Sequence, residues 1–412
     1  MKVVYPHCAG IAIHKKTMPV CVFADGGEGS APEVHKRPFA THREGIQERE
    51  AWLAAHRVTE VGLEATGVYW KPVWNALEGK VGLHLCNPHH IRAIPGAQTD
   101  LRDGTRIAEL LAHGKLPSSF IPPRWQRELR DLTRLRVSLA QERTRIGNRI
   151  EKVLEDAQIK LGCVASEVLG VSGRLMLEAL VNGQSDEGVL SELARGRLKK
   201  KKAQLRQVLQ GGVEEHHRFE LELLLRMLKN CEHELLLLDC RIATYLEPYE
   251  EIVRRLDRIP GVDRIGAAVI LAEIGPEVSS WEDARKLAAW ACLCPGNCLS
   301  AGKRLSGRTR KGNRWLRRIF CQMAWAAARK KGSYFKAQFR RWSGRRGAKR
   351  AILAVAHTLL TVIYHLLKKP QLEFHDLGEQ FFDKRDAQMT ASRLLRRLEK
   401  LGYEVTLKTR AA

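Results

Sequence analysis

A chain of 412 residues with 44% hydrophobic content is long enough for two or three domains and apolar enough to build their cores. Its formal net charge of +24 calls for a polyanionic partner. Ten scattered cysteines, no apolar run behind a basic N-terminus, and no stretch approaching 18 apolar residues argue against a disulfide scaffold, secretion and a membrane span. Cys292, Cys294 and Cys298 lie close together, but without a nearby His they lack zinc spacing and read as small thiols.

Along the first 120 residues, strand and helix patterns alternate. Gly10–Ile13, Met18–Ala24 and Glu33–Phe39 read as strands, and Thr41–His56 as a helix. Val58–Leu63 is a strand that ends at Glu64, Val68–Leu77 a helix, Leu83–Cys86 a strand and Thr99–His113 a helix. The order β-β-β-α-β-α-β-α suits an α/β domain with three hairpin strands followed by parallel additions. Pro117–Pro123 marks its boundary. Arg124 to about Glu155 and Glu214–Tyr249 read as two long amphipathic helices, an antiparallel coiled-coil arm, around a less regular insert. Within that insert the basic run Arg197–Lys202 reads as a solvated helix end or a phosphate contact; His216-His217, at the start of the second long helix, read as exposed helix residues rather than metal ligands.

A new, mostly helical region starts at Arg258-Ile259-Pro260-Gly261-Val262, a turn between helices of the helix-hairpin-helix kind. The backbone amides of such a turn, here around Gly261, can grip a DNA phosphate; an ordinary helical hairpin is the alternative. Trp281–Cys292, Asn313–Lys330 and Ala348–Leu367 read as helices, and the tail as a basic helix, Ala391–Leu401, with a short final strand. The basic charge is local. Residues 301–350 hold 18 Lys+Arg and no Asp or Glu, leaving 52 basic against 46 acidic residues elsewhere. At its heart, Cys298–Arg318 carries Ser300, Ser306 and glycines at 302, 307 and 312; it reads as a loop that meets a ligand closely, with a serine able to do chemistry.

The element order of the first 120 residues is also that of ribonuclease H-like nucleases, which hold two Mg²⁺ ions on carboxylates of the first strand, the fourth strand and a late helix. Glu64 ends its strand, and Asp100 and Asp103 are three apart on one helical face, hard oxygen donors suited to metal-assisted phosphoryl transfer. Asp100 as a helix cap, with Asp103 in the same positive end, is the structural alternative. Between Ile11 and Ile13, where the first-strand Asp belongs, stands Ala12, which cannot ligate a metal.

Four patterns occur in order: Gly-Leu-Glu-Ala-Thr-Gly-Val-Tyr-Trp (62–70), Gln-Thr-Asp-Leu-Arg-Asp-Gly (98–104), Ile-Pro-Gly-Val (259–262) and Ser-Ala-Gly-Lys-Arg-Leu-Ser-Gly-Arg-Thr-Arg-Lys-Gly-Asn (300–313). Together they resemble the DEDD transposases of the insertion-sequence one-ten family, its eleven-eleven subgroup in particular. That resemblance implies a RuvC-like domain over 1–122, a coiled-coil arm over 123–250, a transposase domain over 251–370 and an extension over 371–412. It further implies a prokaryotic, cytoplasmic, nucleoid-associated recombinase with no membrane partner. A bridge RNA would pair with target and donor DNA, and a serine would attack a DNA phosphate to form a covalent phosphoserine. A carboxylate site in another subunit of a tetramer, a dimer of dimers, would assist. Carried over by position, the metal carboxylates are Glu64, Asp100 and Asp103, with Ala12 in the first Asp position. The nucleophile is Ser300, with Ser306 as the fallback. Lys303, Arg304, Arg308, Arg310, Lys311, Asn313, Arg314, Arg317, Arg318 and Gly261 are the nucleic-acid contacts. The resemblance implies an impaired copy, whether Ala12 is engineered or natural. A metal-dependent junction nuclease and a non-catalytic nucleic-acid-packaging protein are the rival readings.

Overall fold

The computed structural model describes residues 3–24, 32–65, 67–87, 100–296, 298–300, 303–309, 311–385 and 387–405. The chain divides into two compact units, Met1–Pro122 and Pro123–Ala412.

In the first unit, β1 (His7–Ile11), β2 (Thr17–Ala24) and β3 (Glu33–Ala40) form an antiparallel meander, the first two largely apolar and buried and the third mostly polar and exposed. Helix α1 (Arg43–Ala55) leads to β4 (Glu60–Glu64), and α2 (Trp70–Leu77) to β5 (Gly82–Cys86); β4 lies parallel to β1, and β5 to β4. Helix α3 (Asp100–Ala112) follows. A two-residue edge strand too short for sequence patterning to find, β6 (Ser118–Ser119), then pairs antiparallel with β5. The sheet order is β3-β2-β1-β4-β5-β6. It is the mixed sheet that the ribonuclease H-like reading expects.

Side-chain alternation divides the sheet between two cores. Ala9, Ile11, Val61, Leu63 and Leu85 face Leu53, Val73 and Trp74 of α1 and α2. Cys8, Cys21 and Cys86 face Ile107, Ala108 and Leu111 of α3. Helix α3 crosses β1 very closely. A Cβ on Gly10 would stand 2.2 Å from the Gly104 carbonyl oxygen and 2.4 Å from the Ala108 nitrogen, so only glycine fits at that crossing.

The second unit is almost entirely helical. Helices α4 (Arg124–Asp156) and α9 (Glu215–Leu246) run antiparallel, joined by Tyr245 Oη donating to Glu128 at 2.9 Å, Arg143 donating to Glu232 at 2.9 Å, and an Arg136–Asp239 ion pair. The region between them, expected to be irregular, is a small helical bundle. It comprises α5 (Leu161–Val164), α6 (Val171–Val181), α7 (Glu187–Glu192), a 3₁₀ turn (Gly196–Lys201) and α8 (Lys202–Val208). Met176, Leu177, Leu190 and Leu205 bury against Leu221 and Leu228 of α9, so the insert has its own core. In the basic run, Lys201 donates to the Val164 carbonyl and Lys202 pairs with Glu192.

The remaining helices are α10 (Glu250–Asp257), α11 (Arg264–Glu273), α12 (Ala284–Trp290), α13 (Arg314–Arg329), α14 (Tyr334–Arg346), α15 (Ala348–Lys368), α16 (Phe381–Arg385) and α17 (Ala387–Glu399). By length and composition α15 is apolar enough to cross a membrane, which the sequence reading overlooked. Here Val355, Leu359, Leu360 and Ile363 are buried with Phe320 and Met323 of α13 and Leu271 of α11, so it is a core helix of this unit. The described part of the tail after α17 contains no strand, and residues 406–412 lie outside the described ones.

Candidate functional site

The carboxylate end of the first unit follows from strand register. Gly10 and Gly62 are partners and both face α3, Gly62 beneath Ile107. Two residues on, the alternation brings Ala12 and Glu64 to that same face, just beyond the last registered pair, Ile11–Leu63. Ala12 continues the ladder by donating its N–H to the Pro19 carbonyl at 3.1 Å, and it is fully buried. Asp103 directly precedes the Gly104 that packs on Gly10. Thus Ala12, Glu64 and Asp103 come to one end of the sheet, on one face. Asp100 is the first residue of α3, with its side chain outside the described residues.

Glu64 and Asp103 are half-buried, and among the described residues no basic side chain pairs with either. A pair of unneutralised carboxylates is a hard oxygen donor set of the kind that Mg²⁺ prefers. The sulfur nearby does not compete. Burial, and then the Glu64 charge, push the Cys86 thiol up to about 12, so it stays protonated.

The basic segment is not the loop that its glycines foretell. Cys298–Ser300 (β7) and Lys303–Ser306 (β8) form an antiparallel hairpin with Ser300 opposite Lys303 and Cys298 opposite Ser306. Its connection is two residues long, Ala301-Gly302, within the length that favours hairpins. Below the hairpin the ladder continues through Gly296 N–H to the Arg308 carbonyl at 2.7 Å and a Pro295–Thr309 bridge. Arg317 on α13 donates to Thr309 Oγ1 at 2.7 Å, which ties the returning strand to that helix. The two candidate serines are therefore at opposite ends: Ser300 at the turn, Ser306 at the base.

Of the expected nucleic-acid contacts, Lys303, Arg308, Lys311 and Arg314 are exposed, and Arg317 and Arg318 are half-buried; the side chain of Arg304 and all of Arg310 lie outside the described residues. Arg314 lies over the Trp315 ring at 4.8 Å. Two of them already have a role within the fold. Asn313 Oδ1 accepts from the Trp315 and Leu316 N–H groups, and its Nδ2 donates to Glu273 at 2.7 Å, so this amide caps α13. Gly261, at φ +83°, turns the chain against α13. A Cβ there would stand 2.3 Å from the Met323 carbonyl oxygen, which accounts for the glycine through packing.

The acid that Asn313 meets was not singled out from the sequence. Glu273 ends the apolar helix α11 and is 2% exposed. Arg134 of α4 grips it with two bonds of 2.7 and 2.8 Å, and Arg130 donates to the Ala272 and Glu273 carbonyls at 2.6 Å each. Its signal in the sequence was a lone acid in an otherwise apolar run, Ile265–Ile274. His217 also departs from expectation, because it is buried. Its Nδ1 accepts from the Glu214 N–H, closing a capping box, and its Nε2 faces Asp156 at 3.2 Å. With His216 these groups make a compact donor cluster, but both ring nitrogens of His217 already serve the fold.

Comparison with known families gives two matches. Residues 9–159 match the model of the IS110 DEDD transposases, described as "Transposase", and residues 253–340 match the model described as "Transposase IS116/IS110/IS902 family". Together they take in the carboxylate end and the serine hairpin. No curated protein matches the chain.

Proposed function

The chain belongs to the IS110 family of DEDD transposases, and from that premise we propose that it exchanges DNA strands through a covalent phosphoserine at Ser300, guided by a bridge RNA. The observation that carries the choice of residue is the hairpin. Ser300 is the last residue of β7, next to the turn, and Ser306 is at the base, registered opposite Cys298.

In the reaction the Ser300 Oγ–phosphorus bond forms as one phosphorus–oxygen bond of the DNA breaks. The leaving strand oxygen departs as a hydroxyl carrying the serine proton. Attack by an incoming strand's hydroxyl reverses the step, returns the proton to Ser300 and conserves the phosphodiester. Lys303, across the hairpin from Ser300, and Arg308 below it are both exposed cations able to neutralise phosphate charge in transit. Divalent metal, held by Glu64, Asp100 and Asp103, would supply Lewis-acid stabilisation of the phosphate. Ala12 leaves that set one carboxylate short. The reading assigns the carboxylates and the serine of one centre to different subunits of a tetramer.

The test is an end-labelled DNA substrate incubated with Mg²⁺ and the RNA that co-purifies with the protein, then run on a denaturing gel. In the Ala12→Asp background a protein–DNA adduct is expected; it should vanish with Ser300→Ala and persist with Ser306→Ala. Free DNA ends without an adduct would instead identify a metal-dependent nuclease. A co-purifying pool with no discrete RNA would remove the guided part.

A further inference from the structure

Beside the returning strand of the serine hairpin, α13, α14 and α15 enclose a groove of about 1340 Å³. It is larger than the ~300–1,000 Å³ usual for a small-molecule site. Its lining includes Arg308, Arg317, Arg346 and Arg350 and, among the described residues, not one carboxylate. Trp342, on α14, is 41% exposed, and one helical turn before it on the same face is Gln338, 7% exposed.

Gln338 carries an unanswered hydrogen-bonding group. Its Nε2 donates to Thr358 Oγ1 at 2.8 Å, and Thr358 in turn gives its own hydrogen to the Ala354 carbonyl at 3.1 Å. Among the described residues the Oε1 is buried with no partner. Flipping the amide does not help, because Oε1 would then face a hydroxyl whose proton is already committed to Ala354. A buried acceptor of this kind calls for a donor from outside the fold.

An aromatic face, a buried acceptor beside it and four arginines answer, respectively, to the π-face of a base, an N–H on its edge and the flanking phosphates. We propose that the groove seats an unstacked nucleotide of single-stranded DNA next to the serine hairpin, with Trp342 stacking on the base and Gln338 Oε1 accepting from its edge. The choice of DNA over RNA rests on the strand-exchange reading, since the hairpin residues Gly307, Arg308 and Thr309 form one wall of the groove.

The test is fluorescence anisotropy of the full-length protein with a labelled single-stranded oligodeoxynucleotide, its duplex and the RNA of the same sequence, at fixed and at varied salt. Trp342→Ala should weaken single-stranded DNA binding roughly tenfold and duplex binding less than about twofold, and Trp342→Phe should recover most of the loss. Gln338→Leu should weaken single-stranded binding severalfold without changing the slope of log affinity against log salt, because it touches no phosphate. Arg350→Ala should reduce that slope by about one. Equal losses on single strand and duplex, an unaltered Trp342→Ala, or losses confined to RNA would each overturn the proposal. In the Ala12→Asp background Ser300→Ala separates the two ideas: it should abolish the covalent adduct and leave these binding differences untouched. An adduct with no groove effects sinks the groove alone, and groove effects with no adduct sink the serine alone.

Discussion

Asn313 Nδ2 donates to Glu273 Oε2 at 2.7 Å, and so the residue that caps the helix after the serine hairpin is anchored to a buried acid at the end of α11. Arg134 holds both oxygens of the same carboxylate, which links α4, α11 and α13 through a single side chain. The hairpin's exit is thus fixed by a charge network rather than by apolar packing alone.

That network sets the first prediction. Glu273→Ala leaves Arg134 and Arg130 without their anion and Asn313 without its acceptor, and removing one partner of a buried pair costs about 3–5 kcal/mol. Because Arg134 keeps some contact with solvent, the lower end of that range is expected. Asn313→Ala should cost less, about 1–2 kcal/mol, mainly through the lost cap. Urea unfolding of the purified variants measures both. A Glu273→Ala variant as stable as the parent would remove the network from any structural role.

The second prediction concerns the carboxylate end. Placing Asp at position 12 sets a third acid beside Glu64 and Asp103, and three neighbouring acids repel one another unless a cation joins them. Ala12→Asp should therefore lower the melting temperature without divalent metal and regain it with millimolar Mg²⁺, a gain that the parent protein shows weakly or not at all. Ala12→Asp with Glu64→Gln should lose that Mg²⁺ dependence. Thermal melts with and without the metal read this independently of any catalysis, and Mg²⁺ shifts equal in all three proteins would break the assignment.

Much of the first unit was legible because β1, β2, β4 and β5 are short, largely apolar runs with turn residues between them. Glu64 could be placed at a strand end from the sequence alone. What patterning could not give is the face. Only the crossing of Gly10 under Gly104 shows that Ala12, Glu64 and Asp103 share the α3 side. In the second unit α14 escaped notice, because Tyr334–Arg346 is dense in arginine and lysine and reads as solvated chain. Its apolar anchor, Phe335 at 1% exposed, is one residue among many polar ones. The serine hairpin was hidden by its glycines, which mark turns and bases of strands as readily as loops. Glu273 and His217 were missed for a shared reason: a buried polar residue is explained by its partners, and those lie 139 and 61 residues away in sequence.

The Gly10 crossing gives a third prediction. Gly10→Ala drives a Cβ into backbone atoms of α3, which cannot swing aside as a side chain does, so the helix must move. A cost of about 3 kcal/mol or more is expected. Gly62→Ala is the control: its new Cβ would meet the ends of the Ile107 and Leu116 side chains, which can rotate, and the penalty should be smaller. Equal penalties would mean that the close approach of α3 does not depend on the bare backbone of Gly10.

Arg49 supports the last prediction, one in which a substitution stabilises. Its guanidinium is fully buried in α1; among the described residues Nη1 approaches only the Met18 sulfur at 3.9 Å, and Nε and Nη2 have no partner. Burial pulls this group well below the ordinary arginine value, down to about 10, against a small opposing effect of Glu50. A base whose folded value lies below its unfolded one is harder to protonate in the native state. Folding therefore bears the full cost at every pH below about 10, and that cost fades as pH rises from 10 toward the ordinary arginine value. At about 1.4 kcal/mol per unit the burden is on the order of 3 kcal/mol, lessened by whatever relaxation the site allows. Arg49→Met keeps the length and apolar stem while removing the charge, so at neutral pH it should raise stability by about 1–3 kcal/mol. The gap between variant and parent should narrow when the same unfolding curves are taken above pH 10. A variant that is less stable than the parent at neutral pH would mean that the guanidinium is satisfied after all.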